Sequence, residues 1–165
     1  MVGAGSIGTA VAAKIAAFGG EATLVARSAR DGVHSVDDVP GLLPAHDIVV
    51  ITAPLTEQTQ GMVNAAFLAA MPDDALLINA ARGKIVDTDA LVSELRAGRL
   101  RAALDVTDPE PLPAGHDLWK CHGVAISPHM SRTVPGMNVL CYDVAADQIR
   151  AFLAGRTPAN VVDGR

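Results

Sequence analysis

Short apolar runs and stretches of helical spacing alternate along almost all of the 165 residues. Positions 9–18 read as a small-residue helix through Ala10, Val11, Ala13, Lys14, Ile15 and Ala17, stopped by Gly19-Gly20. A strand is expected over 22–26, with 27–30 as the turn that leaves it, and a short helix over 37–43 with Pro40 early in it. The run 47–53 reads as a buried strand ended by Pro54, 64–71 as a short helix ended by Pro72, and 75–80 as another buried strand. Asp87 or Thr88 can cap a helix over 89–97, which sets Leu91, Val92 and Leu95 on one face and stops at Gly98. A strand over 100–106 leads into a loop rich in proline and acid, 107–118, and a short strand over 124–127 ends at Pro128. Met137, Leu140, Cys141, Val144, Ala145, Ile149 and Phe152 keep helical spacing through a last helix, 133–153.

Strands separated by helices imply βαβ units, right-handed crossovers and a parallel sheet. Ligands of such sheets bind beyond the carboxyl ends of the strands. The stretch Gly3 to Gly8, Arg27, Pro54, Arg82, Asp105 and His129 each follow or close an expected strand, so all should share one rim. Composition fits this picture. Half the residues are apolar but only 3% are aromatic, so Ala, Val, Leu and Ile must fill the core, as helix-covered parallel strands do. A net charge of −5 gives no electrostatic reason for a nucleic-acid or anionic-membrane partner. No apolar run approaches the roughly 18 residues of a membrane span, and the start lacks the basic-then-apolar pattern of a signal peptide. Cys121 and Cys141 stand alone, without the spacing of a zinc site or a disulfide scaffold, which fits a reducing cytoplasm and no metal.

The first chemistry lies in Gly3-Ala4-Gly5-Ser6-Ile7-Gly8, a G-x-G-x-x-G loop opening the first helix. Its glycines serve the tight turn, close approach of a pyrophosphate, and close helix packing. Free N–H groups and the helix dipole then favour the phosphates. The expected fold class is therefore α/β, a Rossmann-type doubly wound parallel sheet with helices on both faces. Position 27 lies 27 − 8 = 19 residues after Gly8, where an acid would bind ribose hydroxyls. This chain has Arg27 there, with Ser28 and Arg30, and that charge favours a 2′-phosphate and hence NADP(H) over NAD(H); the alternative is an ordinary solvated turn. Three further polar sites follow. Arg82 stands at the mouth of a buried strand, a fork for a carboxylate or a plain surface arginine. Glu110 is held between Pro109 and Pro111, a fixed carboxylate or a merely rigid acidic loop. His129 follows Ser127-Pro128 just past a strand end, a catalytic or a structural histidine.

Taken in order and with their gaps, these stretches resemble the NAD(P)-binding domain of the D-isomer-specific 2-hydroxyacid dehydrogenases. The resemblance covers 3–163. It rests on the glycine loop, Pro54-Leu55-Thr56 with Thr59, Leu77-Ile78-Asn79-Ala80-Ala81-Arg82-Gly83, residues 87–91, Ala103-Leu104-Asp105-Val106 with Glu110-Pro111-Leu112, and Ser127-Pro128-His129. It implies hydride transfer between the nicotinamide and a 2-keto or 2-hydroxy acid. His129 would be the general acid–base, with Glu110 orienting its ring, and Arg82 would bind the substrate carboxylate and polarise the carbonyl. Along the cofactor the resemblance places Gly3, Gly5 and Gly8, the backbone N–H groups of Ser6 and Ile7 at the pyrophosphate, then Pro54, Thr59, Ala80, Ala81, Arg82, Asp105 at the carboxamide, and His129. The formate dehydrogenase branch carries Gln where this chain has Glu110, which disfavours that branch. Arg27 is similar to the NADPH-preferring glyoxylate and hydroxypyruvate reductase types. A homodimer is the assembly the resemblance implies.

The chain departs from the family at its start. Family members resemble a two-lobed protein whose substrate lobe comes mostly from residues before this domain, and the family's first strand is here reduced to Val2. The expected organisation is a dinucleotide-binding domain over 1–154 and a stub over 155–165 leading toward an absent substrate lobe, that is, a truncated chain. Two consequences are expected: unpaired ladder groups with bare helix faces, and a substrate site that Arg82 cannot close alone. A non-catalytic nucleotide-binding or interaction module is the competing reading. A methyltransferase or other Rossmann-like protein with a fortuitous glycine loop is disfavoured by the placement of the Arg, Glu and His.

Overall fold

The computed structural model describes residues 1–131, 133–159 and 161. They belong to two compact units, Met1–His129 and Met130–Arg165.

In the first unit β1 (Leu24–Ala26) pairs in parallel with β2 (Val33–Ser35). A second group, β3 (Ile48–Ile51), β4 (Leu76–Asn79), β5 (Arg101–Leu104) and β6 (Val124–Ile126), forms a parallel sheet in that order. Val2 joins the two groups through parallel bridges to Val25 and Ile51. Its N–H donates to the Val50 carbonyl at 2.8 Å, its carbonyl accepts from Thr52 at 2.8 Å, and the Val25 N–H donates to Met1 at 2.9 Å. The residue is buried. The expected loss of ladder partners is thus confined, because one residue in the central position pairs on both sides. With Val2 counted as the first of seven, the spatial order is 3-2-1-4-5-6-7, the doubly wound arrangement with one strand added at its edge, and Val2 marks the point where the winding reverses, the place at which such sheets take their ligands.

The helices follow from capping and breaking residues. The first, α1 (Ser6–Ala17), begins three residues earlier than its apolar spacing implies, because the glycine turn feeds it directly. Instead of one helix over 37–43 there is a four-residue α2 (Val39–Leu42) between 3-10 turns at Val36–Asp38 and Leu43–Ala45, since Pro40 and Pro44 each remove a helical N–H. Ser35 opens the first of these turns with a capping box, accepting from Asp37 N–H and donating its own N–H to Asp38. Asn64 caps α3 (Ala65–Ala70) through Phe67 N–H at 3.0 Å, and Asp87 caps α4 (Thr88–Arg96) through Ala90 N–H at 3.1 Å. The strand β2 was not expected: Val33-His34-Ser35 is a polar, half-exposed edge without alternation.

Strand register sorts the two faces of the sheet. Val49, Leu77 and Ala102 are in register and buried, as are Ile51, Asn79 and Leu104. This face forms one core with Phe67 and Leu68 of α3 and Leu91, Val92 and Leu95 of α4. Of α1, only Gly8 is buried, so most of that helix surface is bare.

In the second unit α5 (Met137–Leu153) starts later than the expected 133, because Pro135 disfavours helix at Val134 and Gly136 takes φ 78°. Leu140, Val144, Ile149 and Phe152 along it are exposed. Part of the expected C-terminal stub, Asn160 and residues 162–165, lies outside the described residues. Among the described residues no helix is long and apolar enough to cross a membrane.

Candidate functional site

Each glycine of the first loop has a distinct steric reason. Gly3 holds φ 120°, and a Cβ there would lie 2.5 Å from the Ala53 nitrogen, so the strand end permits no side chain. A Cβ on Gly8 would lie 1.9 Å from the Gly3 carbonyl oxygen, which fixes how closely α1 meets the loop. Gly5, by contrast, has nothing within 4 Å of that position, leaving its backbone open to a ligand. No side chain caps the N-terminus of α1, so the first-turn N–H groups, including those of Ser6 and Ile7, face open space beside Gly5. Thr52 Oγ1 donates to the Gly3 carbonyl at 2.9 Å and pins the loop to the end of β3.

A cavity of about 410 Å³ opens beside this loop, lined in part by Gly3, Gly5, Arg27, Arg30, Pro54 and Thr59. Arg27 is exposed and has no ion-pair partner among the described residues. Arg30 is engaged: its guanidinium donates to the Ala4 carbonyl at 2.9 Å, linking the turn after β1 to the glycine loop. Ser28 is exposed and does not line the cavity. Thr59 Oγ1 donates to the Pro54 carbonyl at 2.7 Å, holding the loop after β3 as the far wall. An open glycine, uncapped helix N–H groups and an uncommitted arginine fit a phosphorylated dinucleotide.

The second group of residues lies at the ends of β4, β5 and β6. Beyond β4 the chain turns sharply, with Ala80 and Ala81 leading to Arg82. Arg82 is exposed, and its Nη1 donates to the Ala81 carbonyl at 2.6 Å. A Cβ on Gly83 would lie 1.9 Å from the Thr107 oxygen, so the Arg82 turn and the start of the acidic loop touch backbone to backbone. Thr88 Oγ1 donates to the Asp108 carbonyl at 2.8 Å across the same contact. The acidic loop then delivers Glu110 to His129, Oε1 to Nδ1 at 2.5 Å. A carboxylate can only accept, so Nδ1 carries the hydrogen and Nε2 is left for another partner. His129 holds φ 50°, outside the usual range of a non-glycine residue, and its N–H is shared by the Asp105 and Ser127 carbonyls at 2.8 and 3.0 Å. Such a backbone persists only where its surroundings dictate it, and it is met most often at functional positions.

Asp105 accepts from Ser127 Oγ at 2.7 Å. A cavity of about 670 Å³ is lined by Asp105, Glu110, Ser127 and His129 with the apolar Leu112 and Trp119. A smaller one of about 230 Å³ adjoins it over Asn79, Ala80 and Asp105. The glycine loop, Arg27, Pro54, Arg82, Asp105 and His129 all stand at the carboxyl rim of parallel strands, as the order of elements implied. The geometry joins Glu110 to His129 and Asp105 to Ser127, whereas Arg82 is folded back and lines neither cavity. Four residues that shape the site were given no site role by motif: Thr52, which stood inside an expected strand, Asn79 and Ser127, which stood inside matching stretches, and Thr88, which stood as a cap candidate. A usable signal existed for two of them, since Thr52 and Asn79 are polar residues closing otherwise apolar strands.

Comparison with known proteins adds an independent finding. Residues 1–131 match the family model described as D-isomer specific 2-hydroxyacid dehydrogenase, NAD binding domain. A glyoxylate reductase of Thermofilum pendens is 36% identical over 170 residues, covering 99% of this chain and 50% of that protein. A glyoxylate/hydroxypyruvate reductase A of Serratia proteamaculans is 38% identical over 170 residues, covering 99% and 53%. Among solved structures, a D-isomer specific 2-hydroxyacid dehydrogenase of Xanthobacter autotrophicus Py2 in complex with NADPH and MES aligns with TM-score 0.89 at 36% identity, over 98% of this chain and 69% of that one. An NADPH-dependent glyoxylate/hydroxypyruvate reductase of Sinorhizobium meliloti in complex with NADP and sulfate aligns with TM-score 0.89 at 30% identity, over 98% and 54%. The chain spans about half the length of the curated relatives it matches.

Proposed function

Because the chain belongs to the D-isomer-specific 2-hydroxyacid dehydrogenase family through its NAD-binding domain, we propose that it is the cofactor-binding portion of an NADP(H)-preferring oxidoreductase of small 2-keto and 2-hydroxy acids such as glyoxylate or hydroxypyruvate. The observation that carries this reading is the Glu110–His129 pair, 2.5 Å apart on the same sheet rim as the open glycine loop. The names of the relatives support the substrate class, and the nucleotides bound in two similar structures support NADPH.

When bound, a nicotinamide nucleotide would supply the hydride. Gly3, Gly5 and Gly8 with the N–H groups of Ser6 and Ile7 would hold its pyrophosphate, and Pro54 and Thr59 would wall the adenosine. Arg27 and Arg30 would meet the 2′-phosphate from the cavity wall, with Ser28 between them on the exposed turn. Arg27 does so with an uncommitted charge, and Arg30 with the donors left over from its bond to Ala4. Ala80, Ala81 and Asp105 orient the carboxamide end. Arg82 swings off the Ala81 carbonyl to fork the substrate carboxylate. His129 Nε2 gives a proton to the substrate carbonyl oxygen during reduction and recovers it during oxidation, while Glu110 keeps Nδ1–H engaged so that the ring cannot turn. A homodimer acting in the cytoplasm completes the proposal.

One observation favours a second reading, nucleotide binding without turnover: Arg82 lies folded on Ala81 and lines neither rim cavity. Two assays separate the readings: titration with NADPH, then reduction of glyoxylate by wild type and His129→Asn. The enzyme reading expects NADPH binding and a rate that the substitution abolishes. The module expects binding and no rate to lose. A chain that binds no nucleotide would contradict both.

A further inference from the structure

We propose that Asn79 is a positioning residue for this chemistry, fixing the height at which Arg82 meets the substrate carboxylate. The inference rests on the role given to Arg82 above. Asn79 is the one buried polar side chain among the described residues, 1% exposed at the last position of β4 on the face packed by α3 and α4. Its carboxamide is used at both ends. Oδ1 accepts from Ala81 N–H at 3.1 Å, and Nδ2 donates to the Arg82 carbonyl at 3.0 Å. Its backbone carbonyl accepts from Asp105 N–H at 3.0 Å. One residue therefore ties together the backbone of the carboxylate clamp and the strand end that carries Asp105.

A carboxamide is what this place requires. The turn offers one N–H and one carbonyl, so the side chain must accept at one end and donate at the other, and it must be neutral because it is buried. Aspartate can accept from Ala81 but sets an oxygen against the Arg82 carbonyl. Leucine fits the volume but leaves the Ala81 N–H unpaired and the Arg82 carbonyl with only the Ile85 N–H, at 3.2 Å. Glutamine keeps the chemistry but is one methylene too long. On the far side the turn is held by the Gly83–Thr107 contact and by Thr88 Oγ1 on the Asp108 carbonyl. The Arg82 turn is thus held from below by Asn79 and from the side by the acidic loop, which Thr88 braces, and the guanidinium is held only by the Ala81 carbonyl.

The test is titration of the chain with NADPH and then, in its presence, with oxamate, a neutral-headed carboxylate analogue of a 2-keto acid. Wild type, Asn79→Asp and Thr88→Val are compared, with thermal unfolding recorded for each. The expected result is at least a tenfold loss of oxamate affinity in Asn79→Asp and a smaller loss in Thr88→Val. NADPH affinity should stay within threefold in both, because its phosphate contacts lie at the other end of the rim. Loss of thermal stability with unchanged oxamate affinity in folded Asn79→Asp would reduce Asn79 to a strand cap and overturn the inference. Should Asn79→Asp fail to fold, Asn79→Gln, which keeps both hydrogen-bonding ends but sets them one methylene out, is read in its place against the same two outcomes. A wild type that binds NADPH but not oxamate would overturn the underlying role of Arg82 and this inference with it.

Discussion

The two rims of the sheet use arginine in opposite ways. At the amino rim Arg99 is fully committed: Nε to Glu94 at 2.6 Å, Nη1 to the Met71 carbonyl at 2.7 Å, and Nη2 to the Leu68 carbonyl at 2.5 Å. The Glu94 hydrogen bond, above all, pushes its guanidinium further up from an already high pKa. Its neighbour Arg101 gives two N–H groups to the Asp74 carbonyl. These arginines satisfy the orphan carbonyls at the end of α3 and the turn after it. At the carboxyl rim Arg27 and Arg82 are exposed, without ion-pair partners among the described residues, and the one side-chain bond of Arg82 runs to its own neighbour. A guanidinium whose donors are spent stabilises the fold. One whose donors are unspent beside an open backbone is available to an anion.

That contrast can be broken by substitution, and the largest effect should fall on the carboxyl rim. On the enzyme reading proposed above, His129→Asn or Glu110→Gln should lower the rate of glyoxylate reduction by about 10²–10⁴-fold, the usual worth of a positioned acid–base group. Thermal unfolding should hardly move, since both side chains are substantially exposed. Next come the glycines. Gly8→Ala drives a Cβ into the Gly3 carbonyl and should destabilise the fold by about 3 kcal/mol or more in chemical denaturation. Gly5→Val meets no protein atom nearby and should fold normally, yet bind NADPH at least tenfold more weakly in calorimetry, because its side chain fills the phosphate's place.

The arginines themselves give the paired test. Arg99→Met should cost about 2 kcal/mol of stability by leaving half-buried carbonyls and Glu94 without their donor, and should leave nucleotide affinity unchanged. Arg27→Gln should do the reverse, weakening NADPH roughly tenfold while leaving NADH affinity and stability unchanged. The smallest effect belongs to Asp117, whose carboxyl is held below its ordinary value of 3.8 by the Lys120 hydrogen bond and by Arg96. A depressed carboxyl contributes stability above its unfolded pKa and loses it as pH falls through the folded one. Asp117→Asn should therefore lower the melting temperature slightly at pH 7, and the difference should vanish in acid. Solvent screening of the partly exposed pair keeps it small.

Much of this was legible in the sequence because steric and periodic rules wrote it there. Apolar runs located β3, β4, β5 and β6, and parallel connection then placed Arg82, Asp105 and His129 on one rim. The G-x-G-x-x-G spacing announced three different demands on glycine, and each has its own contact in the fold. What escaped has no periodic signature. The edge strand β2 is too short and too polar to alternate. Arg30 reaches Ala4 across 26 positions, a pairing that only the folded rim creates. Val2 is the single residue to which the first strand was expected to shrink, but unpaired ladder groups were expected with it, and instead it bridges both neighbours. Asn79 looks, in sequence, like a strand ending in a polar residue. Its two-ended grip on the Arg82 turn appears only in three dimensions.

The most direct test of the central claim, that the carboxyl rim is a nucleotide site selective for the 2′-phosphate, is thermal unfolding of the chain with saturating NADPH and, separately, NADH. A ligand at ~100 Kd stabilises the native state by about 2.7 kcal/mol, which a melting curve resolves readily. A larger upward shift with NADPH than with NADH, erased by Arg27→Gln, is the predicted result. An equal shift with both nucleotides, or a cooperative transition that neither of them moves, would contradict it.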